Sequence, residues 1–86
     1  MQFVRTERLK RAYQGLEPAE QELVKKALRQ VATDRAHPGL RVKQIQGIAN
    51  IWEMRAGRDS RITFEMTAET TLLRNVGHHD TTLRKP

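Results

Sequence analysis

The tripeptide His37-Pro38-Gly39 divides this chain, because the spacing of apolar residues changes across it. Before it, apolar side chains recur every three or four positions, the period of a helix; after it they alternate, the period of a strand. Pro38 sharpens the division by pushing His37 out of the helical basin. Helices followed by strands in 86 residues restrict the architecture to α+β, with helices stacked on one face of an antiparallel sheet.

In the helical half, Leu9, Ala12, Tyr13 and Leu16 share one face, and Thr6 stands where an N-cap belongs. Gly15 and Pro18 break this segment, and Pro18 suits the first turn of a second helix over 18–34. There Ala19, Leu23, Val24, Ala27, Leu28 and Val31 form an apolar stripe, with acids early and bases late as the helix dipole prefers. The two segments predict a helical hairpin. Residues 2–5 predict a short strand ahead of it.

In the second half, residues 40–45, 51–56, 61–66 and 70–76 predict four strands joined by short turns, a mainly antiparallel meander. The expected fold is therefore an N-terminal helical hairpin on one face of a four-stranded sheet, as a single domain over 1–86.

Strand alternation assigns side chains to faces. Leu40, Val42, Trp52, Met54, Ile62, Phe64 and Met66 should meet the helices, with Trp52 as core rather than a stacking platform. Arg41, Lys43, Arg55 and Arg61 should then gather on the opposite face, among Glu53 and Glu65. The strand over 70–76 mixes polar and apolar residues on both faces and resists this assignment. Sixteen Lys and Arg against ten Asp and Glu, a net +6, favour a polyanionic partner. No cysteine is present, which removes thiolate metal sites and disulfides and fits a reducing cytoplasm. No apolar run is long enough to span a membrane, and the N-terminus lacks the apolar core of a signal peptide.

The stretches "HPGLRVKQIQG", "IWEMRAGRDSRITFE" and "LLRNVGHHD", in this order, resemble the RelE/ParE superfamily of toxins from type II toxin–antitoxin systems, and most closely its ribonuclease branch of RelE, YoeB and YafQ. The resemblance spans nearly the whole chain. It implies a toxin that cleaves mRNA, commonly in the ribosomal A site, without a metal or other cofactor. It also implies inhibition by a cognate antitoxin, with operator DNA reached only through that antitoxin. Residue by residue, Arg61 matches the arginine on the scissile phosphate, Arg55 the arginine of W-x-x-R, and His79 the C-terminal histidine of YafQ-like toxins that acts as general acid or base. Lys43 falls where the family carries basic residues on an earlier strand, while Asp80 and Arg74 match the site region more loosely. The C-terminal tyrosine of RelE and YoeB is absent, since Tyr13 is the only tyrosine.

Cleavage of RNA by its own 2′-hydroxyl needs a base, an acid, and cations for the charge on phosphorus. An imidazole, with an ordinary pKa of about 6.5, suits either proton role. The expected assignment has Arg61 and Arg55 on the phosphate, His79 as acid, Asp80 holding its ring, and Glu53 as a candidate base. Arg41, Lys43 and Arg74 would hold the RNA backbone. No metal site is expected, because His78 and His79 on a continuing strand would face opposite ways. Two rival expectations share the fold: a ParE-like gyrase inhibitor that acts by binding, and an inactive antitoxin-binding member.

Overall fold

The structure, a computed structural model, describes residues 2–86. Its elements run β1 (Gln2–Arg5), α1 (Glu7–Gln14), α2 (Pro18–Thr33), a 3-10 turn (Pro38–Leu40), β2 (Lys43–Gln44), β3 (Trp52–Arg55), β4 (Ser60–Met66), β5 (Thr70–His78) and α3 (His79–Arg84). The class is α+β, as the change of period predicts.

Both helix starts follow the sequence signals. The Thr6 hydroxyl accepts the Leu9 amide at 3.1 Å and donates to the Leu73 carbonyl at 2.9 Å, so the cap of α1 also ties it to β5. Pro18 opens α2. The apolar stripe of α2 is narrower than its pattern suggests: Val24, Ala27 and Val31 are buried, whereas Ala19 and Leu23 are exposed. The last turn of α2 carries no base, because the helix stops at Thr33, beyond its basic residues.

The sheet has five strands in the order β1-β5-β4-β3-β2. The expected meander β2 to β5 is antiparallel, and the short leading strand adds a fifth, pairing in parallel with β5 from Gln2↔Thr70 to Arg5↔Leu73. The first meander strand is much shorter than 40–45. Leu40 ends the 3-10 turn and Arg41 adopts a left-handed φ of 47°, so pairing begins only at Lys43.

The helices α1 and α2 cover one face, called inner here. Phe64, Met54, Ile62 and Leu73 are its largest buried side chains from the sheet, each contributing about 1.5–3 kcal/mol by removal from water. Trp52 packs against this core, as alternation requires. The ambiguity of β5 is resolved by a register shift: Thr63 pairs with Asn75 but Phe64 with Leu73, leaving Arg74 as the extra residue. This bulge lets Leu73 and Val76, three apart, both enter the core.

The outer face is covered in part. α3 folds back over β4 and β5, and the Pro86 carbonyl accepts from Thr63 Oγ1 at 3.0 Å and Arg74 Nε at 3.2 Å. Thr63 is fully buried in consequence. No helix among the described residues is long and apolar enough to cross a membrane.

Candidate functional site

The C-terminal segment covers only part of the outer face. Over β2, β3 and the start of β4, a group of cations surrounds one carboxylate. Lys43 pairs with Glu53 across β2 and β3, and Arg55 pairs with Arg61 across β3 and β4. Their Cα registers put all four side chains on the same face by strand alternation.

Glu53 is the hub. Its Oε1 lies 3.8 Å from Arg61 Nε and 4.0 Å from Lys43 Nζ, and the residue is only 7% exposed. Arg61 also donates from Nη1 to the Ser60 carbonyl at 2.9 Å and the Arg58 carbonyl at 3.3 Å. These contacts aim its guanidinium with little freedom, which a flexible surface arginine would lack. Burial, and then the charge of Arg55, hold the Arg61 pKa below the ordinary arginine value; Glu53 and Asp59 oppose the shift and Arg41 adds to it. Arginine remains protonated throughout the neutral range, so the consequence is a cation held in surroundings that favour an incoming anion.

Arg41 and Lys43 are exposed and Arg55 is half-buried. Arg41 reaches this neighbourhood from its left-handed turn rather than from a strand. Four cations around a single carboxylate leave a local excess of positive charge on a rigid sheet.

Arg74 does not join them. It sits on the β5 bulge, with Nη1 3.3 Å from Glu65 Oε2 and Nε committed to Pro86. Glu65 is four residues along β4 from Arg61, about 13 Å at strand rise. The RNA-binding role expected of Arg74 therefore has no geometric support: both ends of its guanidinium are engaged away from the cationic group.

The histidines also depart from expectation. Strand β5 ends at His78 and α3 starts at His79, so alternation no longer separates them. Their rings stack, with centroids 4.5 Å apart and an interplanar angle of 28°. His78 caps α3, its Nδ1 accepting the Asp80 amide at 3.3 Å. His79 Nδ1 lies 2.9 Å from Asp80 Oδ1, so the ring and the carboxylate form a close pair at the start of α3.

Two features bring α3 to the arginine. The His79 amide donates to the Asp59 carbonyl at 2.8 Å, so His79 and Arg61 are anchored on the same β3–β4 turn. Gly77, two residues before His79, is the register partner of Arg61. A Cβ at Gly77 would lie 2.8 Å from Thr82 Oγ1, so the glycine is what admits α3 this close to the sheet.

Thr82, Gly77 and the Asp59 carbonyl escaped sequence reasoning. The signal for α3 was present in "HHDTTLR": an Asp in the first turn and an Arg in the last, six residues after a glycine-bearing strand end.

No protein-family model and no curated protein sequence matches the chain. Solved structures do. The toxin–antitoxin complex RelB–RelE from Methanococcus jannaschii aligns over all of both chains at 18% identity and a TM-score of 0.74. YafQ from E. coli strain BL21(DE3) aligns over 93% of this chain and 94% of its own at 6% identity and 0.78. A YoeB/ParE toxin from Agrobacterium tumefaciens aligns over 92% and 99% at 15% identity and 0.76. The fold is the RelE/ParE toxin fold.

Proposed function

We propose that this chain is the toxin of a type II toxin–antitoxin pair and an endoribonuclease that cuts mRNA, with the ribosomal A site as its place of action. The observation that carries the reading is the Arg61–Glu53 pair, flanked by Arg41, Lys43 and Arg55, and sharing the β3–β4 turn with the His79–Asp80 pair. A phosphate-binding group and a proton carrier, fixed on one turn, match what RNA self-cleavage demands. The likeness in fold to RelE, YoeB and YafQ supports the same reading.

In the proposed step, the ribose 2′-hydroxyl gives its proton to solvent water and its oxygen forms a bond to phosphorus while the bond to the 5′-oxygen breaks. The products are a 2′,3′-cyclic phosphate and a 5′-hydroxyl. Arg61 and Arg55 take the negative charge on the phosphoryl oxygens, and their forked donors fit two oxygens at once. His79 gives the Nε2 proton to the departing 5′-oxygen, and Asp80 holds the ring by Nδ1. Glu53 orients Arg61, since its oxygen already faces two cations. Arg41 and Lys43 hold the flanking backbone without reading sequence.

A cognate antitoxin is the proposed protein partner. It restrains this activity in the cell, and any contact with operator DNA passes through it.

The test is mapping of mRNA cuts on programmed ribosomes, with gyrase supercoiling followed in parallel. Wild type should cut the message and leave supercoiling untouched, and His79→Ala and Arg61→Ala should each lose 10²-fold or more, on the order of one acid or one oxyanion donor. Intact cleavage in both variants would end this assignment. Loss of supercoiling without cutting would select gyrase inhibition, and neither effect would select an inactive antitoxin-binding protein.

A further inference from the structure

The end of β5 carries a second possibility that alternation had hidden. Because α3 begins at His79, the second imidazole turns back onto the first, and the ligand atoms of His78, His79 and Asp80 all lie within 4.8 Å of one another. We propose that these three side chains form a binding site for a borderline divalent transition ion of the Zn²⁺ class, and that filling it takes His79 out of proton transfer. The second clause rests on the ribonuclease reading above; the first does not.

The geometry suits such an ion. Both Nδ1 atoms converge on the Asp80 carboxylate, His79 Nδ1 at 2.9 Å from Oδ1 and His78 Nδ1 at 4.0 Å from Oδ2. Around an ion with bonds of about 2.1 Å, tetrahedral ligand atoms stand about 3.4 Å apart, so a set already within 4.8 Å must draw together by about 1 Å at its widest. All three side chains are exposed enough to be reached, at 54%, 39% and 64%.

Protonation fits as well. His78 Nδ1 already presents its lone pair, since it accepts the Asp80 amide. That bond is long, so exchanging it for a metal bond costs little. Metal at His79 Nδ1 requires the neutral ring with its proton on Nε2, so protons compete with the ion and binding weakens as pH falls. The site is formed by three side chains rather than by helix amides, and its fourth position is open to water or to a phosphate oxygen. An imidazole bound to metal through Nδ1 no longer cycles between neutral and protonated forms, so it cannot serve as acid.

Titration calorimetry with zinc chloride tests the site directly, on wild type, His78→Ala and, as a control, His37→Ala. Wild type and His37→Ala should each bind one ion, and more weakly as pH falls. His78→Ala should bind at least tenfold more weakly, the scale of losing a metal-supporting side chain. Histidine C2–H resonances give a readout free of activity: zinc should displace the His78 and His79 signals together in wild type, leave His37 in place, and not displace His79 at the same zinc concentration in His78→Ala. Equal affinity in wild type and His78→Ala, or a His79 resonance that zinc leaves in place in wild type, overturns the proposal. In the cleavage assay with chelator, wild type and His78→Ala should both cut, and zinc should arrest wild type alone; equal arrest of both also overturns it. Failure of wild type to cut in chelator would count against the ribonuclease reading and leave the calorimetric and resonance outcomes to decide the site.

Discussion

Gly77→Ala is the substitution that reads out most directly how α3 is placed. The added Cβ would stand 2.8 Å from Thr82 Oγ1, where ordinary contact begins at 3.4 Å, so α3 must withdraw by about 0.6 Å. Thr82 is 3% exposed and cannot swing away. The backbone adds strain, since φ at Gly77 is 157°, a value side-chain-bearing residues seldom adopt. Overpacking of this kind costs about 1–3 kcal/mol, or roughly 4–24 °C of Tm in a domain of this size. His79 lies one turn before Thr82 and moves with it. A displacement of 1 Å at a reacting group can cost about 10²-fold, so cleavage should fall by between about tenfold and 10²-fold. RNA affinity should hold, because the cations on β2, β3 and β4 are untouched. Adding Thr82→Ala removes the clashing oxygen and should restore most of the lost rate, whereas adding Thr82→Val keeps the bulk and should not. Single-turnover cleavage below Tm, with RNA binding measured alongside, checks this. The reasoning fails if Gly77→Ala cuts at the wild-type rate, or if Thr82→Ala gives no better rescue than Thr82→Val.

Three further outcomes are expected. Arg61→Lys keeps the charge but loses the fork and its two carbonyl anchors, so cleavage should drop about 10²-fold or more; single-turnover rates would show it. Lys43→Ala should reduce the slope of log affinity against log salt by about 0.7, one phosphate contact on a single strand, while Lys10→Ala, paired with Glu7 on α1, should leave the slope alone. Thr6→Ala removes both the N-cap and the link to Leu73, at about 1–2 kcal/mol, so Tm should fall by roughly 4–16 °C with cleavage at low temperature unchanged.

What was legible in the chain follows from which forces are local. Thr6, Pro18 and Pro38 act through their own backbone and near neighbours, and each stands where its chemistry predicts. Trp52 and Met54 against Glu53 and Arg55 obey the pleat of a single strand, so the cationic face could be read before any partner strand was known. Arg74 could not be read this way. Its bulge exists because Phe64 and Leu73 must share the core, a demand set across two strands.

The sequence by itself determined the two periods, the order of elements from β1 to β5, and the delivery of Lys43, Arg55 and Arg61 to one face. Backbone stereochemistry alone enforces all of these. Only the tertiary structure decided that Gln2–Arg5 joins β5, that Glu53 and Thr63 are buried, and that His79 opens a helix instead of extending a strand. The physical reason is burial. Among the last eight residues Thr82 is buried against the sheet and Pro86 takes hydrogen bonds from Thr63 and Arg74, contacts invisible to any local pattern that hold α3 down and bring His79 onto the turn that holds Arg61.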